Sequence, residues 1–310
     1  MKYFRIILGI CILVGTILAV SYRVQKVPQG SRKLSVVTTL FPLYDFVKNI
    51  GADKVDVTLL LPPGMEAHSF EPKPSDVVKI NQADIFIYTG QFMEPWAEDI
   101  ISGISDSKVK VVNASTGIKM IPGVFHDEDE PVGSIDPHIW LDFDNDGVMI
   151  QTIATALAEK DTVHAKYYQQ KALEYQNTLS RLDAEYKTSL SRCKSNEIIY
   201  GGHYAFGYLA HRYNLKYFAA QGVSPDAEPT AQDLAQLVDQ IRKNHIQYIF
   251  YEELTSPKIA ETLANETDAK LLQLNAAHNI SKTDYENNVS FMTIMEDNLK
   301  NLQIGLRCNQ

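Results

Sequence analysis

The chain alternates short apolar runs with longer amphipathic stretches, and the whole alternation occurs twice. "LSVVTT" at 34, "VDVTLLLP" at 55, "IFIYTG" at 85 and "VKVVNA" at 109 make a first set, and "IIYGG" at 198, "LKYFAAQG" at 215, "IQYIFYEE" at 246 and "KLLQLN" at 270 make a second. These runs are strand-sized, rich in β-branched and aromatic residues, and close to continuously apolar. A strand covered on both faces reads this way, so parallel sheets are implied. Helical patterns such as 230–244 and 256–266 fall between the runs. The prediction is an α/β protein with two lobes, each a four-stranded, mostly parallel sheet flanked by helices.

Between the two sets lies a stretch from Asp161 to Cys193 with no Gly or Pro and a helix-favouring composition. Asp161 is the expected N-cap, and Tyr168, Leu173, Leu179, Leu182, Tyr186 and Leu190 the expected buried stripe. One linker helix over 161–193 would then join an N-terminal lobe at 34–160 to a C-terminal lobe at 194–310. A single stiff helix predicts limited closure of the lobes.

Charge and composition narrow the function. Lys2 and Arg5 precede an apolar run from Ile6 to Val20, so residues 1–21 read as a secretory signal or N-terminal anchor, with 22–33 as a linker. Cys11 is a poor lipid-attachment candidate, because bulky Ile10 precedes it. The expected location is extracytoplasmic, in the periplasm or at the cell surface. There Cys193 and Cys308 either pair as a disulfide or remain separate thiols. A formal charge of −9 over 310 residues argues against nucleic acid and favours cations as partners.

Eight histidines occur, and their positions separate them. His68 lies in the loop after the second strand, His138 in the region after the fourth, His203 directly after "IIYGG" and His278 after "KLLQLN". Open α/β sheets bind ligands beyond the carboxyl ends of their strands, so these four can meet in one cleft between the lobes. His164, His211 and His245 fall inside helical patterns, and His126 opens an acidic run. A nitrogen-rich set of four suits Zn²⁺, whereas Mn²⁺ or Mg²⁺ prefers oxygen.

"TTLFPLYDFVKNIG", "LPPGMEAHSFEPKPSD", "DPHIWLD", "GGHYAFGYLAHRYNLKYFAAQGVSPDAEPT" and "YEELTSPKIAETLANETDAKLLQLN" together resemble the zinc- and manganese-specific substrate-binding proteins of ABC transporters, the cluster A-I (cluster 9) family. The likeness covers nearly everything after residue 33. It implies two lobes joined by a rigid helix, a metal held in the cleft, and delivery to an ABC permease in the membrane. On this pattern His68 and His138 match the two ligands of the first lobe. His203 matches the third, a histidine in zinc-type members and commonly a glutamate in manganese-type ones.

The fourth position departs from the family. Many members place an Asp or Glu after the last strand, where this chain reads "LNAAHNIS". Asn275 cannot supply an anionic ligand, so His278 is the expected fourth ligand, the alternative being three histidines completed by water or by Glu66. Four neutral imidazoles leave a dication uncompensated, which makes Glu66, Asp136 and Asp142 candidate supporting carboxylates. His126 with Asp127, Glu128, Asp129 and Glu130 resembles a shortened form of the family's His- and acid-rich loop, which would gather metal weakly, or is an ordinary solvated loop. Protons should compete with metal near the histidine pKa of about 6.5, so affinity is expected to fall below that pH.

The expected function is capture of zinc outside the cytoplasm and its delivery for import, by a monomer that is not an enzyme. A manganese-binding or broad-specificity member or an adhesin of the same family is the alternative. An exported zinc hydrolase, with Glu66 or Asp142 as base, is a weaker rival because neither an "HExxH" helix nor a nucleophile elbow occurs.

Overall fold

The computed structural model describes residues 32–104, 108–123, 135–223 and 228–309. The expected signal at 1–21 and the acidic loop at 126–130 lie outside the described residues. The first sheet contains β1 (Leu34–Thr38), β2 (Val55–Leu59), β3 (Ile85–Tyr88) and β4 (Lys110–Asn113), in the order β2-β1-β3-β4. The second contains β5 (Glu197–Tyr200), β6 (Lys216–Ala219), β7 (Tyr248–Tyr251) and β8 (Lys270–Gln273), in the order β6-β5-β7-β8. All neighbours pair in parallel, so both lobes have the same topology. Position in the sheet explains the residue patterns. Interior β3 buries all of Ile85, Phe86, Ile87 and Tyr88, whereas edge strand β2 exposes Asp56 between two apolar neighbours.

The linker helix runs from Ala165 to Leu190, 26 residues or about 39 Å. It starts later than the sequence suggested. Asp161 instead terminates the preceding helix, Phe143–Lys160, and His164 takes the N-cap position. From there the Asp161 carboxylate accepts bonds from His164 N, His164 Nδ1 and Tyr168 Oη at 3.3, 2.6 and 2.8 Å, binding the turn between the two helices. The buried stripe is Tyr168, Ala172, Leu179, Leu182, Tyr186 and Leu190. Leu173, expected in it, is 52% exposed, because one residue past Ala172 rotates a side chain by about 100° around the helix.

One apolar cluster crosses both lobes and the linker, and includes Phe46, Trp140, Tyr186, Phe206, Phe250 and Phe291. A smaller one of Ile199, Leu237, Ile241, Ile249 and Leu263 lies within the second lobe. The shared core is reinforced by Arg212 on helix Gly207–Tyr213. Its guanidinium reaches Asp142 at 2.7 Å and Asp144 at 2.8 Å in the first lobe, and grips Asp183 of the linker helix with two bonds, at 2.8 and 2.9 Å. Planar bidentate pairing of this kind fixes geometry as well as charge. A Cys193–Cys308 disulfide ties the end of the linker helix to the C-terminal segment, so of the two alternatives the pair is present.

Candidate metal centre

Four loops beyond the carboxyl ends of β2, β4, β5 and β8 carry His68, His138, His203 and His278. In the first, Glu66 turns its carboxylate back onto its own loop, accepting from His68 N at 2.9 Å, Ser69 N at 2.7 Å and Ser69 Oγ at 3.0 Å. It shapes the loop that presents His68. In the second, Pro137 leads into a buried turn, Ile139–Leu141, and Trp140 Nε1 donates to Ala276 O at 2.7 Å. In the third, the Tyr217 hydroxyl accepts from Ala205 N at 3.3 Å and donates to His203 O at 3.2 Å. In the fourth, the chain turns through Ala277 at φ 57°, a left-handed conformation held by Ala277 N donating to Asn275 Oδ1 at 2.7 Å.

The four imidazoles converge. His68 Nε2 lies 3.3 Å from His138 Nε2, and His203 Nε2 lies 3.2 Å from His278 Nε2. One nitrogen from each ring falls within 4.8 Å of all the others. A tetrahedral zinc with nitrogens at about 2.0 Å spaces them about 3.3 Å apart, a length that two of the edges already have. His138, His203 and His278 are buried, and His68 retains some exposure.

Two carboxylates orient the rings. Asp136 Oδ1 accepts from His138 N at 2.9 Å and lies 2.7 Å from His138 Nδ1. Glu252 Oε1 lies 2.9 Å from His203 Nδ1, off the line of an aligned hydrogen bond, so it acts mainly through charge. The Asp136 bond favours the ring proton of His138 on Nδ1, leaving its Nε2 toward the other histidines. Four imidazole nitrogens facing one point suit a cation, and two carboxylates behind them balance a double charge. Two glycines permit this. A Cβ on Gly202 would meet Glu252 Oε2 at 2.8 Å, and one on Gly207 would meet Asp136 Oδ2 at 2.3 Å.

Burial favours the neutral form of His68, His138 and His278. His68 is pushed down to about 3, chiefly by desolvation and then by His203 nearby, with Glu66 opposing. His138 and His278 are pushed well below the usual imidazole value, again chiefly by desolvation and then by the neighbouring histidines. For these three rings, protonation in the metal-free fold is moved below the ordinary imidazole range.

Of the three carboxylates expected to support the histidines, Asp136 touches His138 and Glu66 touches the His68 backbone. Asp142 does neither. It caps helix Phe143–Lys160 by accepting from Asp144 N at 2.8 Å and pairs with Arg212. Asn275 is structural, with its backbone bracketed by Asn298 at 2.8 and 2.7 Å. Glu252 was missed by sequence reasoning. It follows β7 directly, so the rule that selected the histidines also pointed to it. Among the other histidines, His211 sits in helix Gly207–Tyr213, His164 at an N-cap, and His245 just past helix Ala231–Lys243 at φ 51° rather than inside it.

Among the described residues no helix is long and apolar enough to cross a membrane. The chain is similar to the high-affinity zinc uptake system protein ZnuA of Bacillus subtilis, at 35% identity over 281 residues and 88% of each chain. It is also similar to the zinc-binding lipoprotein AdcA of Streptococcus pneumoniae, at 34% identity over 282 residues, and spans 56% of that longer protein. The crystal structure of the Zn(II)-bound ZnuA-like domain of that AdcA superposes with a TM-score of 0.76 at 34% identity, covering 88% of this chain and 99% of the domain. The family model for zinc-uptake complex component A, periplasmic (ZnuA), matches residues 36–305, and the chain belongs to that family.

Proposed function

We propose that this protein is the extracytoplasmic binding component of a zinc import system, holding one Zn²⁺ between its lobes on His68, His138, His203 and His278 and passing it to an ABC permease. The observation that carries the reading is the convergence of four imidazoles on one point, with Nε2 pairs at 3.2 and 3.3 Å and a carboxylate behind one ring of each pair. Nitrogen ligation favours zinc over manganese, which prefers oxygen. The metal is cargo, bound and released intact, and the protein is read as a monomeric carrier rather than an enzyme. The shared core and the Arg212 clamp support a small opening motion in place of wide separation of the lobes. Titration of the metal-free protein with Zn²⁺ and Mn²⁺ tests the reading: one equivalent of zinc should bind much more tightly than manganese. Equal affinity for both would favour a broad-specificity role.

A further inference from the structure

His278 reaches the site from the end of β8, in the second lobe, yet its loop is fastened to the first. The changeover is abrupt. Asn275 is still held by Asn298 of the C-terminal helix. Ala276 N still donates to Glu253 Oε2 of the second lobe at 3.1 Å, but the carbonyls of Ala276, His278 and Ile280 and the side chain of Asn279 take their partners in the N-terminal lobe. Ala276 O accepts from Trp140 Nε1, His278 O accepts from Phe41 N at 3.2 Å, and Ile280 O accepts from Gly64 N at 2.8 Å. Asn279, fully buried, donates from its side-chain amide to Pro62 O at 2.7 Å and Met65 O at 2.8 Å, while its Oδ1 accepts from Ile280 N at 2.8 Å. Pro62 and Met65 belong to the same loop as His68. The left-handed Ala277 sits where the chain crosses over, a conformation that persists only when its surroundings hold it.

His203 is attached differently. Main-chain bonds from Tyr204 N to Gly222 O at 2.7 Å and from Gln221 N to Gly202 O at 3.2 Å keep its loop within the second lobe. The helix that follows meets the first lobe through side chains, those of Tyr208 and Arg212.

We propose that Asn279 is a positioning residue that makes His278 part of the N-terminal lobe's ligand set. His68, His138 and His278 then form a three-histidine half-site on one body, to which the second lobe adds His203. Resting on the zinc-binding reading, this adds an unequal division of the ligands: the half-site stays assembled when the metal leaves, and opening of the cleft withdraws His203.

A double-mutant cycle with Zn²⁺ tests the positioning role. N279A should weaken zinc binding about 10-fold or more in the otherwise intact protein, in the range seen when groups supporting a ligand are lost. In the H278A background the same substitution should have no further effect. An equal loss in both backgrounds would overturn the assignment, because Asn279 would then act through the fold or through His68. Hydrogen exchange on the metal-free wild-type protein gives an independent arm that needs neither the variant nor zinc. The amides of Phe41 and Gly64 should remain as protected without zinc as with it. Exchange at open-loop rates in the metal-free protein would overturn the half-site, whereas failure of the wild-type protein to bind zinc would overturn the transport reading and leave this arm readable.

Discussion

Glu252 Oε1 stands 2.9 Å behind His203 Nδ1, as Asp136 Oδ1 stands 2.7 Å behind His138 Nδ1, the second pair aligned as a hydrogen bond and the first not. One carboxylate from each lobe thus backs one imidazole of the site. Replacing either by its amide removes a negative charge while keeping the shape. E252Q and D136N should each lower zinc affinity by about 10- to 100-fold, with little loss of melting temperature in the metal-free protein. Unchanged affinity in both, measured with a competing chelator, would show that charge behind the rings is not part of the site.

His278 and Glu66 are the two candidates for completing a set begun by His68, His138 and His203. The imidazole faces His203 Nε2 at 3.2 Å, and the Glu66 carboxylate is occupied by its own loop. H278A should reduce affinity about 100-fold or more, since it removes a ligand rather than a supporting group. E66Q, which can still accept from the His68 and Ser69 amides, should cost less than about 10-fold. The reverse order in a zinc titration would make Glu66 the fourth ligand.

The pH dependence follows from burial. His68 is held at about 3, and His138 and His278 also lie below their ordinary value of 6.5. Near pH 8 these rings are neutral whether or not the protein is folded, and at 6.5 half of the unfolded ones are already protonated. Below 6.5 the unfolded chain gains protons that the folded chain refuses, so stability of the metal-free form should fall progressively as pH drops from 6.5 toward 3. For the same reason zinc should displace few protons from these three between pH 8 and 6, and affinity should change by less than about tenfold over that interval. A tenfold loss of affinity per pH unit starting at 6.5 would mean that the free site is open to water and its histidines titrate normally.

Asp45 gives a second, opposite pH signature. It is buried where helix Phe41–Gly51, Tyr175 of the linker helix and the start of helix Phe291–Gly305 meet. Desolvation raises it to about 6, against bonds from the Tyr175 hydroxyl and Phe291 amide and the charge of Lys48. Its carboxylate is therefore favoured neutral in the fold: the stabilisation is complete below 3.8 and is lost as pH rises through about 6. D45N should raise stability at pH 8 by up to about 3 kcal/mol, because a tenfold change in proton affinity is worth about 1.4 kcal/mol. At pH 4 the gain should vanish. Equal gains at both pH values in thermal melts would assign the effect to packing.

The two sheets and the four histidines were legible in the sequence because both are periodic or positional signals. Apolar runs mark buried parallel strands, and ligand residues sit just beyond their carboxyl ends. Features set by tertiary partners were less legible. Glu252 in "FYEEL" looks like any loop acid until β7 and β5 are placed side by side. Asp142, close to His138 in sequence, faces Arg212, which is distant in sequence. Asp161 ends the preceding helix and ties it to the first turn of the linker helix, a shift that composition does not encode. The attachment of residues 276–280 to the first lobe depends on backbone bonds to loops more than two hundred positions away, for which the sequence carries no local sign.

The most direct test of the four-histidine site is zinc K-edge X-ray absorption on protein loaded with one equivalent of Zn²⁺. Four imidazole nitrogens at about 2.0 Å should make up the first shell. A shell containing sulfur, or one dominated by oxygen with fewer than three imidazoles, would contradict the four-histidine assignment.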